Sequence, residues 1–182
     1  MKPTYIITSI LITASIATIP VVFSDDDRRE YRQQSLGVAA VSNPLYKEEC
    51  GSCHMAFPPG LLPARSWQKM MGRLDDHFGD NAEISDDNHK VISEFLLSNS
   101  ADDSRYRRSK KIVSSLDNED IPLRITETPY FKHEHREIPD RLVKGNPQVN
   151  SLSNCNACHS QAEQGLFDEH NIRIPGFGRW DD

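Results

Sequence analysis

The chain has 182 residues, with 21 Lys or Arg against 27 Asp or Glu, which gives a net charge of −6 at pH 7. This length is enough for one domain or two small ones, and the mildly acidic balance argues against a nucleic-acid-binding protein. Residues 1–24 have a positive end at Lys2, an uncharged stretch from Tyr5 to Phe23, and three aspartates directly after them. This layout predicts an export signal cleaved after Ser24, with an uncleaved N-terminal anchor as the alternative. In either case we expect the remaining residues to lie outside the cytoplasm.

Residues 25–36 are polar and lack an apolar period, which predicts a flexible tether. A helix is predicted to begin after them, since Asn43 is a good N-cap and Pro44 suits a first helical position. We expect that helix to present the stretch Cys-Gly-Ser-Cys-His at residues 50–54. A rigid turn at Pro58 and Pro59 then follows, and we expect one of its carbonyl groups to accept a hydrogen bond from His54.

Two pentads, Cys-Gly-Ser-Cys-His at 50–54 and Cys-Asn-Ala-Cys-His at 155–159, use all four cysteines of the chain. Disulfides or a four-thiolate zinc site would explain the cysteines but not the histidine that follows each pair. Cys-x-x-Cys-His is instead the pattern of covalent haem c attachment, in which the histidine is the proximal iron ligand. We therefore expect two covalently bound haem c groups, held by Cys50, Cys53, Cys155 and Cys158, with His54 and His159 on the two irons.

Two further helices are predicted before residue 100. The first is capped by Ser66 and ended by Gly79, and its apolar stripe contains Trp67, Met70, Met71, Leu74 and Phe78. The second is capped by Ser85 or Asp86, and its apolar stripe contains Val91, Ile92, Phe95 and Leu96. The predicted order of elements is that of a small single-haem domain, with a helix, the haem pentad, a proline turn and then amphipathic helices. We place this domain at residues 37–100.

The second half of the chain, residues 101–182, is predicted to be a smaller domain organised around its haem. It opens with a basic cluster formed by Arg105, Arg107, Arg108, Lys110 and Lys111. This cluster is typical of a solvated helix or connector, and the alternatives are a docking patch for an acidic partner or a contact with haem propionates. Prolines are frequent from residue 121 onward and apolar residues are few, so we expect short elements that fold only around the cofactor.

Each iron needs a sixth ligand unless it is kept open for chemistry. For the first haem the residues favour His77 over His89, Met70 and Met71, because we expect this ligand to come from the loop between the two later helices. For the second haem His133, His135 and His170 compete, and we favour His135 because the proline-bounded stretch around it can cross the far haem face. If that stretch is a strand, His133 and His135 point the same way. Four histidine ligands would close both sites and favour electron transfer.

Four stretches extend beyond the pentads and resemble the diheme cytochrome c (DHC) family. They are CGSCHMAFPPGLLP from residue 50, W-x-x-M-x-x-x-L-x-x-H-F-G-x-x-A from 67, PLRIT-x-T-P-Y-F-x-x-x-H-R-x-I-P from 122 and NCNACH from 154. The resemblance implies a periplasmic, mainly α-helical protein with much irregular structure, a class I cytochrome c-like N-terminal domain and a small C-terminal haem domain. It also implies two bis-histidine low-spin haems, with His77 and His135 on the family's ligand positions. Its implied partners are a membrane cytochrome of the b561 type and a soluble, oxygen-binding cytochrome.

An electron carrier is therefore the expected function, and we do not expect an enzyme. A diheme peroxidase would need one open or displaceable iron position and nearby acid–base residues. A gas-binding or sensor module would need an iron that takes carbon monoxide rapidly. The seven histidines of the chain are enough to close both sites, which argues against these two alternatives.

Overall fold

The computed structural model describes residues 25–180 of the chain, and the predicted signal or anchor at residues 1–24 lies outside them. The described part is mainly helical with much irregular structure, as expected. Its helices are α1 (Asp25–Leu36), α2 (Pro44–Gly51), α3 (Ala64–Met71), α4 (Asp86–Ser98), α5 (Arg107–Ser114), α6 (Pro129–Glu134), α7 (Asp140–Val143) and α8 (Cys155–Cys158). Two short strands, β1 (Arg173–Ile174) and β2 (Gly178–Arg179), pair antiparallel. None of the helices within residues 25–180 has the length and apolar content needed to cross a membrane.

Residues 25–36, expected as a flexible tether, form helix α1. It packs against α5, and its Arg32 forms an ion pair of 2.9 Å with Asp168 near the other end of the chain. Directly after the helix, the Val38 N–H donates to the Gly165 carbonyl at 2.9 Å. The prediction of a flexible tether was wrong. The polar residues of this segment belong to a helix that forms ion pairs with distant residues, and such partners cannot be identified from local sequence.

The first apolar core lies under α2, α3 and α4 and consists of Val41, Tyr46, Leu62, Trp67, Met71, Ile92 and Leu96. The caps of two of these helices are as predicted. Asn43 accepts the Tyr46 N–H at 3.0 Å, and Ser85 accepts the Asn88 N–H at 3.3 Å. Val91, however, was assigned to the apolar stripe of α4 and is exposed. The stripe of α4 is therefore narrower than expected and is formed mainly by Ile92 and Leu96.

The helix predicted to run from Ser66 to Gly79 is much shorter. It begins at Ala64 after Pro63 and ends at Met71, and Ser66 is fully buried inside it. A 3₁₀ turn at Leu74–Asp76 follows. His77 and Asp80 then exchange backbone hydrogen bonds across a tight turn in which Phe78 has φ 59° and Gly79 has φ 102°. Two consecutive positive φ values are incompatible with a helix, so His77 lies on a turn and not at a helix end.

A second apolar cluster joins the two halves of the chain. It contains Val38 and Leu61 from the first half and Ile112, Ala162 and Phe167 from the second half. A third, smaller cluster of Val143, Val149 and Ile174 lies among α7, α8 and β1. The division into domains at residue 100 stays a prediction, and in the described residues the second cluster crosses it.

Helix α6 depends on its buried N-cap, Thr128. The Thr128 hydroxyl donates to the Ile125 carbonyl at 2.9 Å and accepts the Phe131 N–H at 3.3 Å. Replacing it in Thr128→Val keeps the shape but leaves the Phe131 N–H unpaired, whereas the Ile125 carbonyl keeps its bond from the Thr128 backbone N–H at 3.1 Å. We expect the free energy of unfolding to fall by about 1–2 kcal/mol.

Denaturant unfolding of the haem-loaded protein measures this loss. The matched control is Thr126→Val, at a half-buried threonine two residues earlier, for which we expect a change within about 0.5 kcal/mol. Equal stabilities of the two variants would contradict the assigned role of the cap.

Candidate haem sites

The first pentad lies at the end of α2. Cys50 is in the last helical turn and half-buried, whereas Cys53 and His54 follow the helix end at Gly51 and are exposed. The helix is thus shorter than expected, and only the first cysteine of the pentad belongs to it. Burial, followed by the neighbouring Glu49 carboxylate, raises the pKa of the Cys50 thiol to about 11. Until the haem is attached, Cys50 is therefore a neutral S–H group at pH 7.

His54 is held by its own chain segment. Its Nδ1–H donates to the Met55 carbonyl oxygen at 2.8 Å, and its ring stacks on Phe57 with 5.0 Å between the ring centres. The carbonyl was expected from the proline turn, but the Pro59 carbonyl instead accepts the Trp67 indole N–H at 2.7 Å. The bond to Met55 fixes the ring orientation and leaves Nε2 as the nitrogen available to a metal.

His77 lies opposite His54. The two ring centres are 6.1 Å apart, and the ring planes are inclined by 22°. Metal–imidazole bonds are about 2 Å long, so one metal bound between two imidazoles holds their ring centres about 6 Å apart. The separation of His54 and His77 therefore fits one iron between them.

Two residues that sequence reasoning missed cover His77. The Phe78 ring meets the His77 ring edge-on at 4.9 Å, and the Arg124 guanidinium lies 3.7 Å from the centre of the Phe78 ring. Burial first, then the nearby His54 and Arg124, lower the pKa of His77. The imidazole is thus kept in the neutral form that a metal requires. Arg124 could not be assigned from sequence because it comes from the second half of the chain.

The other three candidate ligands for the first haem make different contacts or line the space beside His77. The His89 side chain is half-buried, and its Nε2 contacts the Met71 carbonyl oxygen at 2.9 Å. Met71 itself belongs to the first apolar core. Met70 lines a cavity beside His77. Among the four candidates, His77 is the residue whose ring faces His54.

The second pentad is more enclosed than the first. Cys155, Cys158 and His159 are all half-buried and line a cavity of about 240 Å³. Burial is the main cause that raises the pKa of Cys155 to about 11, and it lowers the pKa of His159 to about 4, with smaller effects from His135 and Arg108. Until the haem is attached, the Cys155 thiol and the His159 imidazole are therefore both neutral at pH 7. The Phe167 ring packs edge-on against His159 at 5.5 Å.

His135 lies opposite His159, with 6.2 Å between the ring centres and 72° between the ring planes. Its Nδ1–H donates to the Phe131 carbonyl oxygen at 2.9 Å, and its ring stacks on the Phe131 ring at 3.8 Å and 9°. The separation again fits a single iron between two imidazoles. In contrast to the first site, the histidine outside the pentad has the hydrogen-bonded Nδ1 here.

The two other histidines of the second half are both exposed. The segment around His133 is helix α6, not a strand, and residues two apart on a helix are separated by about 200° around the axis. Both histidines line the cavity, but His133 is exposed beside Arg136, whereas the ring of His135 faces His159. His170 is exposed beside Glu169.

Arg108 is the member of the predicted basic cluster that enters the second site. Its guanidinium donates to the Tyr130 hydroxyl and the Phe167 carbonyl, both at 2.8 Å, and lies 3.6 Å from the Glu134 carboxylate. It also lines the cavity that contains His159. The neighbouring Arg107 is exposed. The basic cluster is therefore not uniformly solvated, since one of its charges is built into the haem site.

The two sites share one apolar cluster. Met55, the residue after His54, packs against the second cluster, and so does Cys155 from the other pentad. Ile125 packs against both the first and the second cluster. The proximal segment of one site and a haem-attachment cysteine of the other are thus joined by contiguous, water-excluding side chains.

The alternatives of disulfides and zinc do not fit this arrangement. All four cysteines, which lie among the described residues, are free of disulfide bonds. Within residues 25–180 no three His, Cys, Asp or Glu side chains come together as a metal-binding group. Each Cys-x-x-Cys-His pentad instead has one further histidine ring facing its own. Two attachment motifs with two such pairs define a c-type cytochrome with two haem sites.

Comparison with known proteins agrees with this class. The family model for dihaem cytochrome c (DHC) matches residues 46–167, and the chain belongs to that family. A diheme cytochrome c from Shewanella baltica OS155 is 43% identical with a TM-score of 0.64, and the match covers 76% of this chain and 98% of that one. A diheme cytochrome c from Rhodobacter sphaeroides is 42% identical with a TM-score of 0.64, covering 71% of this chain and 100% of the other. No curated protein matches the chain.

Membership in this family means that the chain carries two covalently bound haem c groups and is a cytochrome of the electron-transfer type. The residues present fit these groups. Each pentad offers a pair of thiols for two thioether bonds, and at each site the ring centres of two histidines are 6.1 Å or 6.2 Å apart, a separation that would suit one iron between them.

The position of Arg108 predicts an electrostatic effect on the second haem. A half-buried positive charge beside His159 favours the reduced iron, which carries one positive charge less, and therefore raises the reduction potential. We expect Arg108→Gln to lower the potential of that haem, and potentiometric titration of the visible bands measures the change.

Arg107→Gln is the matched control, because it removes the same charge from an exposed position one residue away. Solvent and salt screen that charge, so the shift in potential is expected to be clearly smaller. A larger shift in Arg107→Gln than in Arg108→Gln would contradict the assignment.

Proposed function

We infer that the protein carries electrons through two bis-histidine, low-spin haems, one ligated by His54 and His77 and the other by His135 and His159. The observation that carries this inference is the separation of the ring centres in each pair, 6.1 Å and 6.2 Å. Two unconnected pairs of histidines have the spacing of a single shared metal ion, and each pair includes the histidine of one haem pentad.

The haems supply irons that gain and lose one electron each. The chain holds the ligands: hydrogen bonds from His54 to Met55 and from His135 to Phe131 keep one imidazole of each pair oriented. Since both axial positions are taken by nitrogen, a change of redox state needs little rearrangement. The cluster shared by Met55 and Cys155 excludes water between the two sites, which supports transfer within the molecule.

The location and partners that we propose follow from the family and from the sequence. Covalent haem c attachment and the signal-like residues 1–24 support a periplasmic protein, cleaved or anchored at its N-terminus. The partners we propose are a membrane cytochrome of the b561 type as donor and a soluble cytochrome as acceptor. Two irons whose axial positions are both occupied by histidine favour an electron carrier over an enzyme. Reduction of the purified protein by membranes that contain a b561-type cytochrome, compared with membranes that lack it, tests the donor.

Low-temperature electron paramagnetic resonance of the oxidised protein tests the four ligands. The imidazole planes of His54 and His77 are inclined by 22°, and two nearly parallel imidazoles separate the energies of the two iron d orbitals with which both interact. The planes of His135 and His159 are inclined by 72°, and two nearly perpendicular imidazoles leave the energies of these orbitals almost equal. We therefore expect two low-spin signals, of which the second haem's has the larger anisotropy. His77→Ala should remove the ordinary rhombic signal, and His135→Ala should remove the highly anisotropic one.

His133→Ala is the matched control, since this histidine lies two residues from His135 and is exposed. It should leave both low-spin signals intact. Retention of both signals in His135→Ala, or loss of one in His133→Ala, would overturn the proposed ligands of the second haem.

A further inference from the structure

The two histidines of the second site belong to segments that are far apart in the chain. His135 follows α6, and its ring is fixed to that helix by stacking on Phe131 and by its bond to the Phe131 carbonyl. His159 ends the second pentad, and the Phe167 ring packs edge-on against it. The angle of 72° between the two imidazole planes therefore depends on how α6 is oriented relative to the segment between His159 and Phe167.

One side chain from a third element bonds to both of these segments. Helix α5 packs against α6 and carries Arg108, whose guanidinium has two terminal nitrogens. Nη1 donates to the Tyr130 hydroxyl of α6 at 2.8 Å, and Nη2 donates to the Phe167 carbonyl at 2.8 Å. The Tyr130 hydroxyl in turn donates to the carboxylate of Glu134, which directly precedes His135, at 3.0 Å. The guanidinium thus forms a bridge between the two segments.

The geometry of the guanidinium makes this bridge rigid. The Cζ atom of Arg108 lies 5.8 Å from the centre of the Tyr130 ring and 6.0 Å from the centre of the Phe167 ring, and the side chain is only 19% exposed. A guanidinium is planar and presents its N–H groups in fixed directions, whereas a lysine ammonium group is a compact charge on a flexible stem. A lysine at this position would therefore preserve the charge but not the bridge.

We propose that Arg108 is a positioning residue of the second haem, which holds the two segments so that the imidazoles of His135 and His159 stay nearly perpendicular. This proposal rests on the bis-histidine ligation inferred above. The bridge acts through the orientation of the ligands, whereas the effect of the positive charge on the reduction potential is separate from it. Since 72° is already close to the perpendicular limit, loss of the bridge should on average reduce the angle.

Arg108→Lys separates the bridge from the charge. Electron paramagnetic resonance of the oxidised, haem-loaded protein reports the angle, and we expect the largest g value of the highly anisotropic signal to fall, as it should in Arg108→Gln. Potentiometric titration reports the charge, and the potential of the second haem should fall less in Arg108→Lys than in Arg108→Gln. A largest g value that stays the same or rises in Arg108→Lys would overturn the proposal.

Tyr130→Phe tests the same bridge with Arg108 unchanged, and it removes a single hydroxyl group from α6. The Glu134 carboxylate, 3.6 Å from the guanidinium, keeps part of the contact with α6. We therefore expect a shift of the largest g value in the same direction as in Arg108→Lys, but a smaller one. A shift in the opposite direction would contradict the bridge.

Arg107→Lys is the matched control, because it makes the same exchange at an exposed position one residue away. It should leave both low-spin signals and both potentials unchanged. Equal shifts of the largest g value in Arg107→Lys and Arg108→Lys would also overturn the proposal.

The spectrum of the unaltered protein separates this result from the proposed function. A highly anisotropic signal that is present in the unaltered protein and unchanged in Arg108→Lys would leave the bis-histidine carrier intact and sink only the bridge. Absence of that signal from the unaltered protein would contradict the ligand geometry of the second haem itself.

Discussion

The structure depends on the pairing of imidazoles across a gap that fits one metal ion. An iron can be shared by two histidines only if their ring centres stay about 6 Å apart, so two distant segments must be held at fixed positions at each site. At the first site these segments are the end of α2 and the turn after α3; at the second they are α6 and α8. The apolar clusters beneath them are small, and two haem groups would add apolar contact area to them.

Local chemistry in the sequence was enough to predict much of the site. The pentads specify the cofactor, and the caps Asn43 and Ser85 specify two helix starts, because each signal acts within a few residues. Errors arose where the deciding contact was distant. Helix α1 depends on Asp168, and Arg124 reaches His77 from the second half of the chain. His133 and His135 could be separated only once their segment was known to be a helix, since in a strand both would point the same way.

The two haem sites have the same kinds of candidate ligand, but the residues of their pentads differ in exposure to solvent. Cys53 and His54 are exposed, whereas Cys155, Cys158 and His159 are half-buried around a cavity that Arg108 also lines. Solvent exposure and nearby charge both act on the reduction potential of a haem. One chain can thus hold two chemically identical cofactors at different potentials, and the direction of electron flow between them is set by their protein surroundings.

Exposure also bears on where electrons enter and leave. A haem edge that reaches solvent can meet a partner, whereas an enclosed one communicates through the protein. The shared cluster of Met55, Ile125 and Cys155 links the two sites and supplies such a contact through the protein. The two sites also differ in how the histidine outside the pentad is held. Among the described residues the Nδ1 atom of His77 has no hydrogen-bond partner, whereas His135 is stacked on Phe131 and hydrogen-bonded to its carbonyl.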